Sequence, residues 1–321
     1  MEKLKVAVLF GGPSLEHDVS VESGKRVLSG LSPEKYEAFP VHIKRDGEWP
    51  IDPEELARQV DLAFIALHGK YGEDGTVQEF LERLDLPYTG SGVLASALGM
   101  NKILSYRLFQ AVGLNVPRFE VINRQDADWR GGYPLNISID LPLIIKPANQ
   151  GSSLGVSLVR KAEEVWPAVE KALQFGREAI VQEYIDGQEF AGSVLEMGEK
   201  VAALEPLQIL PLTGEFFDYQ SKYSAGASEE RIMSELLAVR EKIQEGVLRA
   251  HKAIGACGFS RSDFILSPDG RLYILEINTV PGMTKNSLFP KAAEASGINF
   301  PRLLDILIEQ ALRKETDNGR E

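Results

Sequence analysis

Near its C-terminal end the sequence spaces two carboxylates and an amide so that they can hold a cation. Arg261, Asp263 and Ile265 alternate along one apolar run, and Leu272, Ile274, Glu276 and Asn278 along the next, with Ser267-Pro268-Asp269-Gly270 between them. Strand side chains alternate between faces, and Ser-Pro-Asp-Gly is turn chemistry. The two runs are therefore expected to pair as a hairpin with Asp263 and Glu276 on one face, opposite or diagonal to each other. Two acids so placed repel unless a cation lies between them. Oxygen ligands suit Mg²⁺ or Mn²⁺, and three of them leave positions for phosphate oxygens and water. The plainer alternative is a solvated face with an ordinary salt bridge to Arg261.

A second group of residues suits phosphate. Gln150-Gly151-Ser152-Ser153-Leu154-Gly155 follows Lys146 by four residues. Glycines let a backbone approach phosphate, and serines and free N–H groups donate to its oxygens. The spacing is not that of a Walker A loop, and a glycine-serine loop can equally be a simple hairpin. Lys102, Lys146 and Lys222 show no mutual spacing, and singly each reads as a surface lysine. Ile180–Ile185 runs into Asp186-Gly187-Gln188-Glu189. Such an edge can give main-chain hydrogen bonds to a purine and a carboxylate to ribose hydroxyls, or be a buried strand with a surface acid.

Other chemistries find less support. The histidines are His17, His42, His68 and His251, none at metal-binding spacing. His68 closes an apolar run beside Gly69 and so faces a candidate cleft; His251 reads as surface or core packing, and the lone Cys257 as core packing. The GxSxG elbow of a Ser-His-Asp hydrolase is missing. Gly90-x-Gly92 lacks a properly placed third glycine for a dinucleotide fingerprint.

These residues have to be carried by elements. Lys5–Phe10, Leu62–Leu67 and Leu86–Thr89 read as short buried strands, with helices over Ser20–Leu28 and Thr76–Leu84. This is a small parallel-sheet domain with ligand loops at its strand ends. Val93–Ala111 reads as one helix with Lys102 inside it. Leu141–Pro147, Val156–Val159 and Ile180–Ile185 read as strands around a helix at Ala162–Phe175. Phe190–Leu195 and Lys200–Leu204 suggest a hairpin around Gly198. Thr213–Ser228 has no period and reads as a mobile loop of lid composition. Glu235–Ile254 and Pro301–Leu312 read as helices.

Composition bounds the rest. The 321 residues make two or three domains, with 44% hydrophobic and 26% charged residues, an ordinary globular balance. With 35 Lys and Arg against 47 Asp and Glu, the formal charge of −12 leaves no broad basic face for nucleic acid or an anionic membrane. A single cysteine excludes an internal disulfide and a Cys-rich zinc site. Val6–Phe10 is too short for a signal-peptide core, and no run approaches the ~20 apolar residues of a membrane helix. A soluble, cytoplasmic chain is expected.

Taken in order, the motifs are more specific than any one of them. They run Gly11-Gly12 with Glu16-His17-Asp18-Val19-Ser20, then Leu67-His68-Gly69 with Gly72-Glu73-Asp74-Gly75, then Tyr88-Thr89-Gly90-Ser91-Gly92. Lys146-Pro147 with Gly151-Ser152-Ser153-x-Gly155, Asp218-Tyr219 with Lys222-Tyr223, Arg261-x-Asp263, and Glu276-x-Asn278 with Pro281-Gly282-Met283-Thr284 complete the set. Over residues 4 to 312 this resembles the D-alanine–D-alanine ligase family of the ATP-grasp superfamily. Asn101 departs from it, standing where many relatives carry an acid.

The resemblance implies an α/β (α+β) ATP-grasp fold. It would have a Rossmann-like N-terminal parallel-sheet domain (1–92) and two α+β subdomains (93–184 and 185–321) clamping ATP. It implies that Lys102, Lys146 and Lys222 contact phosphates, with Ser152 and Ser153 in a loop closing over them. Glu183, Tyr184 and Ile185 would form the adenine hinge, Glu189 would hold the ribose, and Asp263, Glu276 and Asn278 would hold two Mg²⁺ or Mn²⁺. Glu16 would take the first substrate's ammonium, with Tyr223 and Ser152 linking the lid to it. Arg261 and the Gly282 N–H would cradle transition-state oxygens, Ser287 and Leu288 would receive the second substrate's carboxylate, and His68 would sit near the reacting carboxyl. The implied reaction ligates two D-alanines through a D-alanyl phosphate, supplying a peptidoglycan precursor, in a cytoplasmic homodimer. By the same resemblance the Tyr223 hydroxyl favours a dipeptide over a depsipeptide.

Overall fold

Residues 2–127, 137–151, 154–211, 228–232 and 237–318 are described by a computed structural model of the chain. The N-terminal part runs β1 (Leu4–Gly11), α1 (His17–Gly30), β2 (Tyr36–Ile43), α2 (Pro53–Ala57), β3 (Leu62–Ile65) and α3 (Thr76–Arg83). Then come α4 (Val93–Met100), α5 (Lys102–Ala111), β4 (Phe119–Asn123), α6 (Arg124–Ala127), β5 (Leu143–Pro147), β6 (Ser157–Val159), α7 (Ala162–Leu173) and β7 (Glu178–Glu183). The remainder is β8 (Gln188–Met197), β9 (Lys200–Ala203), β10 (Leu207–Pro211), β11 (Ser228–Ile232), α8 (Leu237–Ala253), β12 (Phe259–Leu266), β13 (Leu272–Asn278), α9 (Leu288–Ala295) and α10 (Phe300–Asn318).

Among the described residues these strands form three sheets. The first is parallel, in the order β2-β1-β3, and is extended by a bridge from Ala63 to Tyr88. Its central strand is apolar from Val6 to Phe10 because both of its faces are covered there: Val6, Val8 and Phe10 enter one core, Ala7 and Leu9 the other. Helix α1 packs so closely that a Cβ on Gly24 would fall 2.4 Å from Phe10 Cβ. The second sheet is antiparallel, β4-β7-β5-β6, and α7 covers it with Val169, Ala172 and Leu173. The third is antiparallel, β11-β10-β8-β12-β13 with β9 on β8, and is backed by α5 and α8 through Tyr106, Phe109, Ile243 and Val247.

One core joins the first sheet to the third. Val6, Val8 and Phe10 share it with Phe289 of α9, with Leu303, Leu304, Leu307 and Ile308 of α10, and with Leu195 and Phe259 of the third sheet. Each large apolar side chain buried there contributes about 1.5–3 kcal/mol. The C-terminal helices thus fix the N-terminal loops against the hairpin that carries the acids.

The structure corrects several sequence expectations. Val93–Ala111 is two helices, not one, and Lys102 begins the second. The cause is Asn101, whose side chain accepts from the N–H groups of Ile103 and Leu104, at 3.1 Å each, and caps the new helix. Leu272, Ile274, Glu276 and Asn278 do not share one face: the pairing shifts between Asp263 and Phe264, so Asp263 pairs with Glu276 while Phe264 pairs with Ile274. Leu275 is the extra residue of this β-bulge, and Ile274 turns into the core with Phe264. Ser228 begins strand β11 rather than ending a loop; 213–227 lie outside the described residues. The strand at Ile180–Ile185 spans Glu178–Glu183, leaving Tyr184 and Ile185 beyond its end. Strands β2, β4, β10 and β11 and helices α2, α6 and α9 had no sequence expectation. Cys257 is only half-buried.

Candidate active site

A cavity of about 630 Å³ opens between the second and third sheets and runs to the loops of the first. Its walls explain the sequence pattern. Strand β5 supplies Lys146, the connection from β7 to β8 supplies Tyr184 and Ile185, β8 supplies Glu189, and the β12–β13 hairpin supplies Arg261, Asp263, Glu276 and Asn278. The N-terminal part supplies Glu16 and His68, the stretch before α9 supplies Gly282 and Ser287, and α9 begins with Leu288.

Of the two arrangements expected, opposite or diagonal, the hairpin adopts the first: Asp263 stands opposite Glu276, and Arg261 stands opposite Asn278. The Arg261 guanidinium donates to both Asp263 oxygens, at 2.9 and 3.0 Å. Lys102 Nζ lies 3.2 Å from Glu276 Oε2 and donates to the Gln150 carbonyl at 2.8 Å. The backbone of Lys102 is fixed too, its N–H donating to Ala148 O at 2.9 Å. Asn278 Oδ1 accepts from the Val280 N–H at 2.9 Å. Among the described residues no three His, Cys, Asp or Glu side chains cluster as metal ligands. A divalent ion here has to use the Asn278 amide oxygen beside the two carboxylates, and that oxygen keeps a second lone pair for it. The donor set is all oxygen and carries two negative charges, which fits Mg²⁺ or Mn²⁺.

Lys146 Nζ donates to the buried Tyr106 hydroxyl at 2.9 Å. That hydroxyl also lies 3.0 Å from Gln182 Oε1 and 2.9 Å from the carbonyl of Leu275, the bulge residue. Burial raises the Tyr106 pKa, so it stays a neutral donor. Glu183 turns its side chain out of the cavity, accepting from the Arg118 N–H at 2.7 Å and from Arg118 Nε at 2.9 Å. Only its main chain can serve a hinge.

Glu16 sits in the turn before α1, and glycines make room for it. A Cβ on Gly69 would fall 2.5 Å from Glu16 Oε2, and one on Gly151 3.2 Å from it. His68 is 4% exposed; its Nε2 lies 2.8 Å from Ser23 Oγ, and its Nδ1 3.1 Å from Val280 O and 3.5 Å from Glu73 Oε1. Burial lowers the His68 pKa, against the pull of Glu16. Ser287 ends the turn into α9, and its Oγ accepts from the Thr284 N–H at 2.9 Å. A helix N-terminus and a hydroxyl together suit a carboxylate.

Ser152, Ser153, Lys222 and Tyr223 lie outside the described residues. The structure adds residues that sequence reading left without a role. Glu73 is buried at the cavity wall beside His68, and burial pushes its carboxyl up to about 8. Its motif, Gly72-Glu73-Asp74-Gly75, was visible, but its burial was not. Tyr106 and Gln182 carried no signal beyond helical and strand pattern.

Known proteins resemble the chain over nearly all of its length. The family model described as D-ala D-ala ligase C-terminus matches residues 108–309, and that described as D-ala D-ala ligase N-terminus matches residues 5–58 and 50–91. The D-alanine–D-alanine ligase of Geotalea uraniireducens is 42% identical over 312 residues, 97% of this chain and 96% of the relative. That of Geobacter sulfurreducens is 41% identical over 318 residues, 98% of this chain and 96% of the relative. Among solved structures, a Bacillus anthracis D-alanine–D-alanine ligase complexed with ATP superposes with a TM-score of 0.81 at 31% identity, covering 98% of this chain and 99% of that one. A D-Ala:D-Ser ligase from Enterococcus faecalis superposes at 0.82 and 32% identity, covering 97% and 100%.

Proposed function

This chain belongs to the D-alanine–D-alanine ligase family, and we propose that it joins two D-alanines to D-alanyl-D-alanine, with ATP converted to ADP and phosphate. The observation that carries the reading is the meeting of Asp263 and Glu276 with Lys102 and Arg261 in one cavity that Glu16 also enters. Acids, cations and an ammonium acceptor converge where a carboxylate can be phosphorylated and then attacked.

A carboxylate resists an amine nucleophile, so it is activated first. ATP lies between the second and third sheets, its adenine against the main chain of Glu183, Tyr184 and Ile185 and its ribose at Glu189. Lys102 and Lys146 hold phosphate oxygens, joined by Lys222 and the Ser152–Ser153 loop. Phosphoryl transfer needs mainly positioning and charge neutralisation, and lysines supply both. Asp263, Glu276 and Asn278 would hold two divalent ions, which when bound neutralise charge on the transferring group.

Glu16 fixes the first D-alanine by its ammonium, with Tyr223 and Ser152 completing the link to the lid. Its carboxylate oxygen takes the γ-phosphoryl group, giving D-alanyl phosphate and ADP. Ser287 and the Leu288 N–H fix the second D-alanine by its carboxylate. Its free amine attacks the acyl carbon, Arg261 and the Gly282 N–H stabilise the tetrahedral oxyanion, and phosphate leaves as the peptide bond forms. The acyl phosphate hydrolyses if wet, so the reaction requires a site from which water is excluded.

The Tyr223 hydroxyl favours an amine over a hydroxyl as nucleophile, hence a dipeptide over a depsipeptide. The same reading makes the chain a cytoplasmic homodimer that supplies a peptidoglycan precursor. No helix among the described residues is long and apolar enough to cross a membrane.

Mass spectrometry of products from ATP, Mg²⁺ and D-alanine, with D-serine and D-lactate as competitors, tests the reading. D-alanyl-D-alanine with matching ADP is expected. ADP formation that D-alanine does not stimulate would overturn it.

A further inference from the structure

The Gly282 N–H acts only if its turn is held still, and the hydrogen bonds that hold it come from the N-terminal helix. The Met283 N–H donates to Ser23 Oγ at 3.1 Å. Ser23 Oγ lies 2.8 Å from His68 Nε2, and His68 Nδ1 lies 3.1 Å from the Val280 carbonyl. A carbonyl only accepts, so Nδ1 carries the proton. In a neutral ring Nε2 then accepts, and the Ser23 hydroxyl donates to it. The bonds run from Met283 N–H to Ser23, from Ser23 to His68, and from His68 to Val280 O, bracketing Pro281 and Gly282. One turn along α1, Arg26 donates to Met283 O at 2.9 Å and to Thr284 O, its guanidinium 3.9 Å from the Phe300 ring centroid.

Ser23 is 0% exposed, Met283 1% and Val280 2%, so water cannot take over a lost bond. Neither ring nitrogen of His68 is left over for a substrate proton. The titratable and charged groups around the ring are Glu16, Glu73 and Arg261.

We propose that Ser23, with Arg26, is a positioning residue that works through His68 to fix the Gly282 backbone at the reacting centre. His68 is the neutral link of this clamp and not an acid or base. The inference rests on the ligase reading above.

Steady-state kinetics of Ser23→Ala and His68→Asn, alone and combined, test it beside the unsubstituted chain. Asn keeps an N–H donor near the place of Nδ1 and loses the acceptor at Nε2. Ser23→Ala, nearly isosteric, is expected to lower kcat by roughly tenfold or more and to leave KM for ATP within about twofold. The double variant should lose little more than the worse single one, because both cut the same chain. The limbs of the pH–rate profile should survive in His68→Asn. Undiminished kcat in Ser23→Ala, multiplied losses in the double variant, or a missing limb would each overturn the clamp. Should His68→Asn fail to melt cooperatively, the Ser23→Ala kcat and ATP KM decide alone. The unsubstituted chain separates the two failures: no dipeptide from it removes the ligase reading, whereas dipeptide from it and unabated turnover in Ser23→Ala removes only the clamp.

Discussion

The Tyr106 hydroxyl accepts from Lys146 Nζ at 2.9 Å while lying 2.9 Å from the carbonyl of Leu275, the bulge residue beside Glu276. One buried hydroxyl therefore ties Lys146 to the irregularity that turns Glu276 into the cleft. Neither strand alone could set the distance between those two charges.

Tyr106→Phe should uncouple them. The ring still fills its pocket, so the fold should survive, with a loss of about 1–3 kcal/mol from the polar groups left unpaired. KM for ATP should rise severalfold and kcat should fall by roughly tenfold. Denaturant melts and ATP-saturation kinetics check both; unaltered kinetics in a folded variant would show that Lys146 holds its place without the hydroxyl.

Glu276→Gln removes one carboxylate charge from the hairpin and leaves its shape. Turnover should drop by about a hundredfold or more. The melting temperature should stay within a few degrees, because the Glu276 side chain is 22% exposed and not part of the core. Full activity would remove Glu276 from the cation site.

Asn101 decides where α5 begins and so where Lys102 points. Asn101→Ala should cost about 1 kcal/mol of stability from the lost cap and should raise KM for ATP. Asn101→Asp keeps a capping oxygen and should restore both. A similar ATP KM in all three proteins would mean that the cap does not position the lysine.

Glu73 makes stability depend on pH in a sign that can be worked out. Its carboxyl moves from an ordinary value of 4.5 to about 8 on folding, chiefly by burial. Between those values the folded chain holds a proton that the unfolded chain has released, so stability falls as pH rises through the interval. At ~1.4 kcal/mol per pKa unit the penalty reaches a few kcal/mol above pH 8. Glu73→Gln carries no such penalty. In thermal melts it should gain on the unsubstituted chain at pH 8.5 and not at pH 4.5; an equal gain at both would refute the assignment.

The local patterns were legible in the sequence because their causes are local. The alternation of Arg261 and Asp263, and the turn at Ser267–Gly270, follow from strand geometry and turn chemistry, and the placing of Asp263 and Glu276 on one face came with them, while the structure chose opposite over diagonal. The apolar run Val6–Phe10 ending at Gly11-Gly12 marked the first strand of an α/β layer. The order of motifs carried the family, because matches over that many positions do not arise together by chance. The break at Asn101 was less legible, since a capping side chain inside a helical pattern competes with the pattern itself.

What the tertiary structure alone decided lies between segments far apart in the chain. His68 meets Val280 across 212 positions, and Arg26 meets Met283 across 257. The bulge at Leu275 put Ile274 in the core and Glu276 in the cleft, where strict alternation had placed both on one face. Glu73 acquired its raised pKa only through burial in the folded chain. A residue's type and spacing fix which bonds and charges it can offer. Burial and long-range packing fix which partner receives them, because solvent exclusion and the core shared by α9, α10 and the first sheet are properties of the whole chain.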